Sequence, residues 1–324
     1  MRILVFLLAS LSAFAASPAR DQTATPAEVA IVLNSGDGSV SLIDRKTYTE
    51  VKRYPIGKEP HHLMMTPDNK ELVVANASSN ELVFLDPVTG IEKRRLQRIS
   101  DPYQLGFSPN AKWFVSVSLR LDRVDLYSAN DFKLVKRIPL GKTPSHMAFT
   151  QDSSIVFITV QESDEIAAID LNAQKLLWKM PCGRQPAGIY MTPDGNHLVA
   201  GMMGNDYFSV IDWRARKEVK RIPTGKGAHN TQSMGDGKQI FASNRVAGTV
   251  NIIRLSDFTV TSTMKIPNGP DDMELSADGK ELWVTSRWGH KVYVVDMATQ
   301  QIKKTIPVGR SPHGIYFQTH APRT

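Results

Sequence analysis

Hydrophobic residues run along the chain in short bursts of about five, such as Val40-Ser41-Leu42-Ile43 and Val292-Tyr293-Val294-Val295, and turn-forming residues separate them. Runs this short, rich in β-branched and aromatic residues, read as strands. Amphipathic stripes of period 3.6 are absent, so helical solenoids are excluded. Residues 270–311 show the pattern within one unit: strand A at 273–276, strand B at 281–285, strand C at 291–296 and strand D at 302–308. Ser276-Ala277-Asp278-Gly279 turns A into B, Arg287-Trp288-Gly289-His290 links B to C, and Ala298-Thr299 turns C into D.

That unit repeats. Steps of 42 residues from Pro60 reach Pro102, Pro144, Pro186, Ala228, Pro270 and Pro312. In a second register Asp44, Asp86, Ser128, Asp170, Asp212, Arg254 and Asp296 close an apolar strand, and in a third Asp68, Asn110, Asp152, Asp194, Asp236 and Asp278 sit in turns. Four antiparallel strands repeated at this spacing form a β-propeller blade. The phase also predicts how the ring closes. The chain enters with strands B, C and D (31–34, 40–44 and 50–56) and ends with a lone strand A at 313–318, so the two ends complete a seventh blade. The expectation is an all-β, seven-bladed propeller, one domain over residues 27–319, with a tail at 320–324.

The motif Leu282-Trp283-Val284-Thr285-Ser286, Lys291 to Asp296, Thr305-Ile306-Pro307-Val308-Gly309 and Pro312-His313-Gly314-Ile315 resembles the YVTN-family β-propeller repeat over nearly the whole chain. The resemblance implies the fold and leaves function open. Similar propellers include lactonase-like enzymes, haem-binding domains of nitrite reductases, single-stranded-DNA binders and surface proteins, and a fold is not a function.

The N-terminus changes the compartment expected. Met1-Arg2, an apolar run over 3–9 and Ala13-Phe14-Ala15 fit a secretory signal peptide over residues 1–15, followed by a loose segment over 16–26. The run is shorter than the roughly 20 apolar residues of a membrane span, so a periplasmic or secreted protein without a membrane span is expected. Cys182 is the only cysteine, which leaves no lipid-anchor cysteine after the signal and no intrachain disulfide. It takes the place of Ile56, Leu140 and Val308 in other repeats and reads as a packing residue.

The net charge of +7 raises the question of a polyanion. Pairs such as Lys52/Arg53, Arg94/Arg95 and Lys303/Lys304 recur on strand D, the outer edge, where basic residues block sheet-to-sheet aggregation. A second set stands two residues before the repeat proline: Lys58, Lys142, Arg184, Lys226 and Arg310. The propeller places these D-to-A loops on one rim with the B-to-C loops, which carry Asn76, Arg120, Glu162, Asn205, Arg245, Arg287, Trp288 and His290.

Residues just after each proline start the innermost strand and ring the channel mouth. They are His61/His62, Tyr103/Gln104, Ser145/His146, Ala187/Gly188, His229/Asn230, Asp271/Asp272 and His313/Gly314. Six of the 8 histidines (61, 62, 146, 229, 290 and 313) fall on this rim. Converging neutral imidazoles are ligands for a transition metal or haem iron, and His61, His229 and His313 are the expected metal set. The basic residues, with Tyr103 and Trp288 as stacking faces, equally suit a small anionic ligand, an acidic segment of a periplasmic protein partner or single-stranded nucleic acid. Were the protein an enzyme, His313 with Asp271 or Asp272 would be the acid–base pair. No nucleophile elbow, phosphate loop or dinucleotide fingerprint occurs. Met202-Met203 reads as core filler before soft copper ligand. The leading expectation is a binding or scaffold protein working through this mouth.

Overall fold

The computed structural model describes residues 28–323; the expected signal peptide and loose segment lie outside them. Seven four-stranded antiparallel sheets form a ring. The inner strands of blades one to seven are Pro60–Met65, Gln104–Phe107, Pro144–Phe149, Pro186–Met191, Ala228–Ser233, Pro270–Leu275 and Pro312–Tyr316, and each touches the next around a closed circle. Blade seven is shared between the chain ends: Pro312–Tyr316 pairs with Val29–Asn34, which continues into Ser39–Asp44 and Thr49–Pro55. Among the described residues the one helical turn is a 3-10 segment at Gln161–Ser163, and no helix is long and apolar enough to cross a membrane.

The recurring aspartates work as backbone acceptors. In the A-to-B turn Asp68 accepts from the Thr66 hydroxyl (2.7 Å) and from the Lys70 amide (3.2 Å), and Asp194 and Asp278 repeat the pattern. In the C-to-D turn Asp44 accepts from the amides of Lys46 and Thr47 (2.8 and 2.9 Å), as Asp170 and Asp212 do in their own turns. A short side-chain acceptor that mimics a backbone turn explains both sequence registers.

The core lies between blades. Ile31, Leu33 and Val40 of blade seven pack against Leu72, Val74 and Val83 of blade one, and Trp283, Val292 and Val294 of blade six pack against Ala30, Val32 and Phe317. Trp113, Tyr293 and Phe157 are buried in equivalent layers, and Met202 is buried with Phe157 and Leu198. Cys182 is partly buried on the edge of that layer, and burial pushes its thiol up to about 12. Strand D is the exposed outer edge, as in Lys217–Pro223. The chain stays on the body beyond Phe317: the Ala321 amide donates to Leu275 (2.8 Å), Ser276 bridges His320, and Ala321 is buried.

One feature of the inner strands departs from the simple reading, in which strand A begins after the proline. Six of the seven begin at the repeat position itself and carry a register shift at the two residues that follow, whereas Gln104–Phe107 begins two residues after Pro102 and carries none. In blade one Pro60 faces Asn76 and Leu63 faces Val74, so three steps on one strand meet two on the other. Such a β-bulge bends the strand and re-aims its side chains. Before it, the residue preceding the repeat position has a positive φ in every blade: Glu59 (55°), Asp101 (45°), Thr143 (63°), Gln185 (51°), Gly227 (73°), Gly269 (74°) and Ser311 (51°). This left-handed kink, costly for residues other than glycine, turns the outer strand's exit into the inner strand's start. Carboxylates and amides of the neighbouring B-to-C turns hold it. Asp122 accepts from the Thr143 amide (2.9 Å), Asp164 from Gln185 (2.8 Å), Asp206 from Gly227 (2.8 Å) and Asn80 from Asp101 (2.8 Å).

Candidate metal centre on the propeller axis

The bulges deliver five imidazoles to one place, and Tyr103, just before the unbulged inner strand of blade two, adds a phenol. The His61 ring centroid lies 3.7 Å from that of His313, 4.0 Å from Tyr103 and 4.8 Å from His62. His62 lies 4.7 Å from His313 and 5.5 Å from His146, which in turn lies 5.4 Å from His229. All five histidines are buried, none more than 7% exposed.

The hydroxyl residues that hold the bulge were not singled out in the sequence. The amides of His146, Asn230 and Asp272 donate to Thr159, Ser243 and Thr285 on strand B (3.1, 3.1 and 3.0 Å). A hydroxyl residue thirteen positions after the second bulge residue in three blades is the signal that could have found them. Gly188 and Gly201 clear space beside His229: a Cβ at either would come within 2.7 Å of its carbonyl oxygen.

Electrostatics keep the imidazoles neutral. Burial, reinforced by neighbouring imidazoles and by Arg245 and Arg287, holds His61, His62, His229 and His313 well below the usual histidine range, and burial followed by Arg245 brings His146 down to about 3. Burial pushes Tyr103 up to about 12, so it is a neutral phenol. Asp271, fully buried, is the hub of the charges. Arg245 donates to it from Nε and Nη2 (3.1 and 2.5 Å), Arg287 from Nη1 (3.2 Å), and His229 Nδ1 and His313 Nε2 lie 3.2 and 3.6 Å away. Burial alone would raise its pKa; Arg245, then His229 and Arg287, outweigh that and hold it ionised. Asp272 behaves oppositely. Burial and the charge of Asp271 push it up to about 8, and it accepts a hydrogen bond from Asn230 (2.6 Å).

Seven ring nitrogens in this cluster are buried without a hydrogen-bond partner: Nδ1 of His61, Nε2 of His62 and His146, and both nitrogens of His229 and His313. An orphaned buried polar atom costs about 1–3 kcal/mol, so each calls for an explanation. One nitrogen each from His61, His62 and His313 lies within 4.8 Å of the others. Tetrahedral zinc–imidazole bonds of 2.0–2.1 Å place nitrogens about 3.4 Å apart, so closing on an ion needs ring movements of roughly 1 Å. That group of three contains His62 and not the expected His229, whose Nδ1 lies 3.2 Å from Asp271. His146 is anchored by Ser145 (Oγ to Nδ1, 3.0 Å).

The other expected site residues lie around this centre. Arg120 pairs with Glu59 and Asp101 (2.6 and 2.5 Å), and Arg310 with Asp37 (2.6 Å). Lys58, Arg184 and Lys226 are exposed on the rim, and so are Trp288 and His290, which take no part in the imidazole cluster. Asn76 is buried and donates to the Ile56 carbonyl (2.8 Å).

Solved structures share this architecture at low identity. A functionally unknown protein from Desulfotomaculum acetoxidans DSM 771 matches 91% of this chain and 100% of its own, with 15% identity and a TM-score of 0.76. Kuenenia stuttgartiensis hydrazine synthase matches over 80% and 90% (18% identity, TM-score 0.66), and the dihydro-heme d1 dehydrogenase NirN in complex with DHE over 90% and 66% (17%, 0.64). These likenesses show the fold alone. No curated protein matches the chain. The family model that does match describes a YNCE-like beta-propeller and spans residues 4–323, so the chain belongs to the YNCE-like beta-propeller family.

Proposed function

We propose that the protein is an exported binding protein that holds one transition-metal ion through His61, His62 and His313. The observation that carries this reading is the convergence of buried imidazole nitrogens without partners. Three neutral imidazoles without thiolate or thioether suit Zn2+, Cu2+ or Ni2+. Asp271 lies 3.6 Å from Nε2 of His313; were that nitrogen to carry the proton and close on the carboxylate, Nδ1 would keep the lone pair for the ion, the usual outer-shell role of a carboxylate on a ligating imidazole. Arg245 and Arg287 fix that carboxylate in turn.

The same contacts weigh against the other readings. A haem macrocycle does not fit between rings 3.7 Å apart, and histidines this deeply buried offer no axial nitrogen at the surface. A hydrolytic pair of His313 with Asp271 or Asp272 lacks an effective base, since burial holds His313 well below the usual histidine range and makes it a weak proton acceptor, Asp271 is committed to two arginines and Asp272 favours its protonated form near neutrality. For nucleic acid, the Tyr103 ring is spent against His61, which leaves Trp288 as the exposed stacking face of the two.

Elemental analysis of the protein purified from its producing cells without chelator tests the proposal. One equivalent of Zn, Cu or Ni is expected, falling to background in His62→Gln. Metal-free protein that also takes up none of these ions on dialysis would overturn it.

A further inference from the structure

At the end of the ring opposite the histidines, the chain continues past its last inner strand and pairs with the free, axis-facing edge of blade six. The Ala277 amide donates to the Thr319 carbonyl (3.0 Å), Ser276 bridges His320, and the Ala321 amide donates to the Leu275 carbonyl (2.8 Å). Pro322 then reaches blade five, where a Cβ on Gly235 would lie 2.9 Å from its ring. Among the described residues no other inner strand carries an extra bridge on that edge. Arg323 closes the crossing: its guanidinium donates to the Glu274 carboxylate and lies 5.5 Å from the centre of the Tyr316 ring, within reach of a cation–π contact.

Glu274 breaks the repeat. Steps of 42 residues from it reach Met64, Gly106, Ala148, Tyr190, Gln232 and Tyr316, none of them charged, so the blade itself does not call for a carboxylate there. Glu274 is fully buried, and its Oε1 has no hydrogen-bond partner among the described residues; His320 Nδ1 stands 4.0 Å from that atom. Burial pushes the carboxyl upward, and Arg323 is the first group to offset that. A carboxylate taken out of water needs a cation against it. Arg323 brings one on a side chain that is still 35% exposed, so solvent reaches the occupant from outside while the carboxylate stays dry.

We infer that Glu274, with the Tyr316 ring beside it, is a binding site for an alkylguanidinium group, and that Arg323 occupies it in cis as a displaceable plug. Guanidinium meets carboxylate in a charge-assisted pair and stacks on aromatic faces, which an uncharged group of the same shape cannot do. The inference needs no bound metal, and its test is run with chelator present.

Thermal midpoints of Arg323→Ser measured with millimolar n-butylguanidinium test it. The midpoint should rise with ligand concentration, as for any ligand that binds the folded state alone; n-butylurea, of the same shape without the charge, should leave it unchanged. Adding Glu274→Gln should weaken the apparent affinity at least about tenfold. The unsubstituted chain should also bind at least about tenfold more weakly, because a tethered Arg323 competes at an effective concentration in the millimolar range. A peptide of residues 319–323, acetylated and amidated, separates arginine carried on a chain from a free guanidine, and the tighter of the two ligands names the source. If Arg323→Ser is unfolded alone, n-butylguanidinium should restore its circular dichroism. No shift or no recovery in Arg323→Ser, an equal shift with n-butylurea, a shift that survives Glu274→Gln, or one as large in the unsubstituted chain overturns the inference.

Discussion

Acid should unfold the metal-free protein abruptly just below pH 6.5, because five imidazoles are neutral in the fold and free to protonate outside it. The sign follows from proton counting. Each folded pKa lies below the unfolded 6.5, so below pH 6.5 the unfolded chain binds more protons and stability falls as pH falls. Each imidazole contributes about 1.4 kcal/mol per pH unit until its folded pKa is reached. For His146, with a folded value of about 3, the full loss is about 5 kcal/mol. All five together give a slope of up to about 7 kcal/mol per unit, against a total stability of about 5–15 kcal/mol for a domain. Asp272 works the other way: raised from 3.8 to about 8, it stabilises the fold at low pH and loses that contribution as pH rises towards 8, by about 1.4 kcal/mol per unit. Stability should therefore peak near pH 6.5, decline gently above it and collapse below it. Urea midpoints measured from pH 8 to 4.5 with chelator present check this, and His146→Leu should remove about 1.4 kcal/mol per unit from the acid slope. A flat profile between pH 6.5 and 5, or an unchanged slope in His146→Leu, would refute the claim that these rings are neutral and buried.

Asp271→Asn leaves two arginines without their carboxylate, so it should cost about 3 kcal/mol of stability by denaturant titration; it should also weaken metal binding about 10–100-fold. Gly201→Val sets a Cβ 2.7 Å from the His229 carbonyl and should lower the thermal midpoint by the equivalent of about 1–3 kcal/mol, whereas Gly279→Asn, with open space around it and a residue type that tolerates a φ of 69°, should cost less. Deleting residues 312–324 removes the strand that pairs with Val29–Asn34, and circular dichroism should then show no cooperative unfolding transition.

The fold was legible because each element that sets it leaves a residue at a fixed phase. Prolines mark the entry to the inner strand, and aspartates mark the turns whose amides they accept. The closure through Pro312–Tyr316 followed from where the phase begins and ends. The candidate site was legible only as a rim. The sequence brought His61, His62, His146, His229 and His313 to one end of the ring, but spacing along the chain does not say how far they sink or which three converge. Both depend on the bulge after the repeat proline, which leaves no residue type of its own, and on Arg245 and Arg287 turning inward to Asp271. His290 shares the rim by sequence yet stays in solvent, because it sits in the turn at a φ of 55° and not on the bulged strand.

The central claim is that His61, His62 and His313 form one metal site, and calorimetric titration of the chelator-stripped protein with Zn2+, Cu2+ and Ni2+ tests it most directly. One ion bound per chain, with a raised thermal midpoint, is predicted; His61→Gln, His62→Gln and His313→Gln should each abolish it, and His290→Gln should not. No saturable uptake, or uptake that survives all three substitutions, would contradict the account.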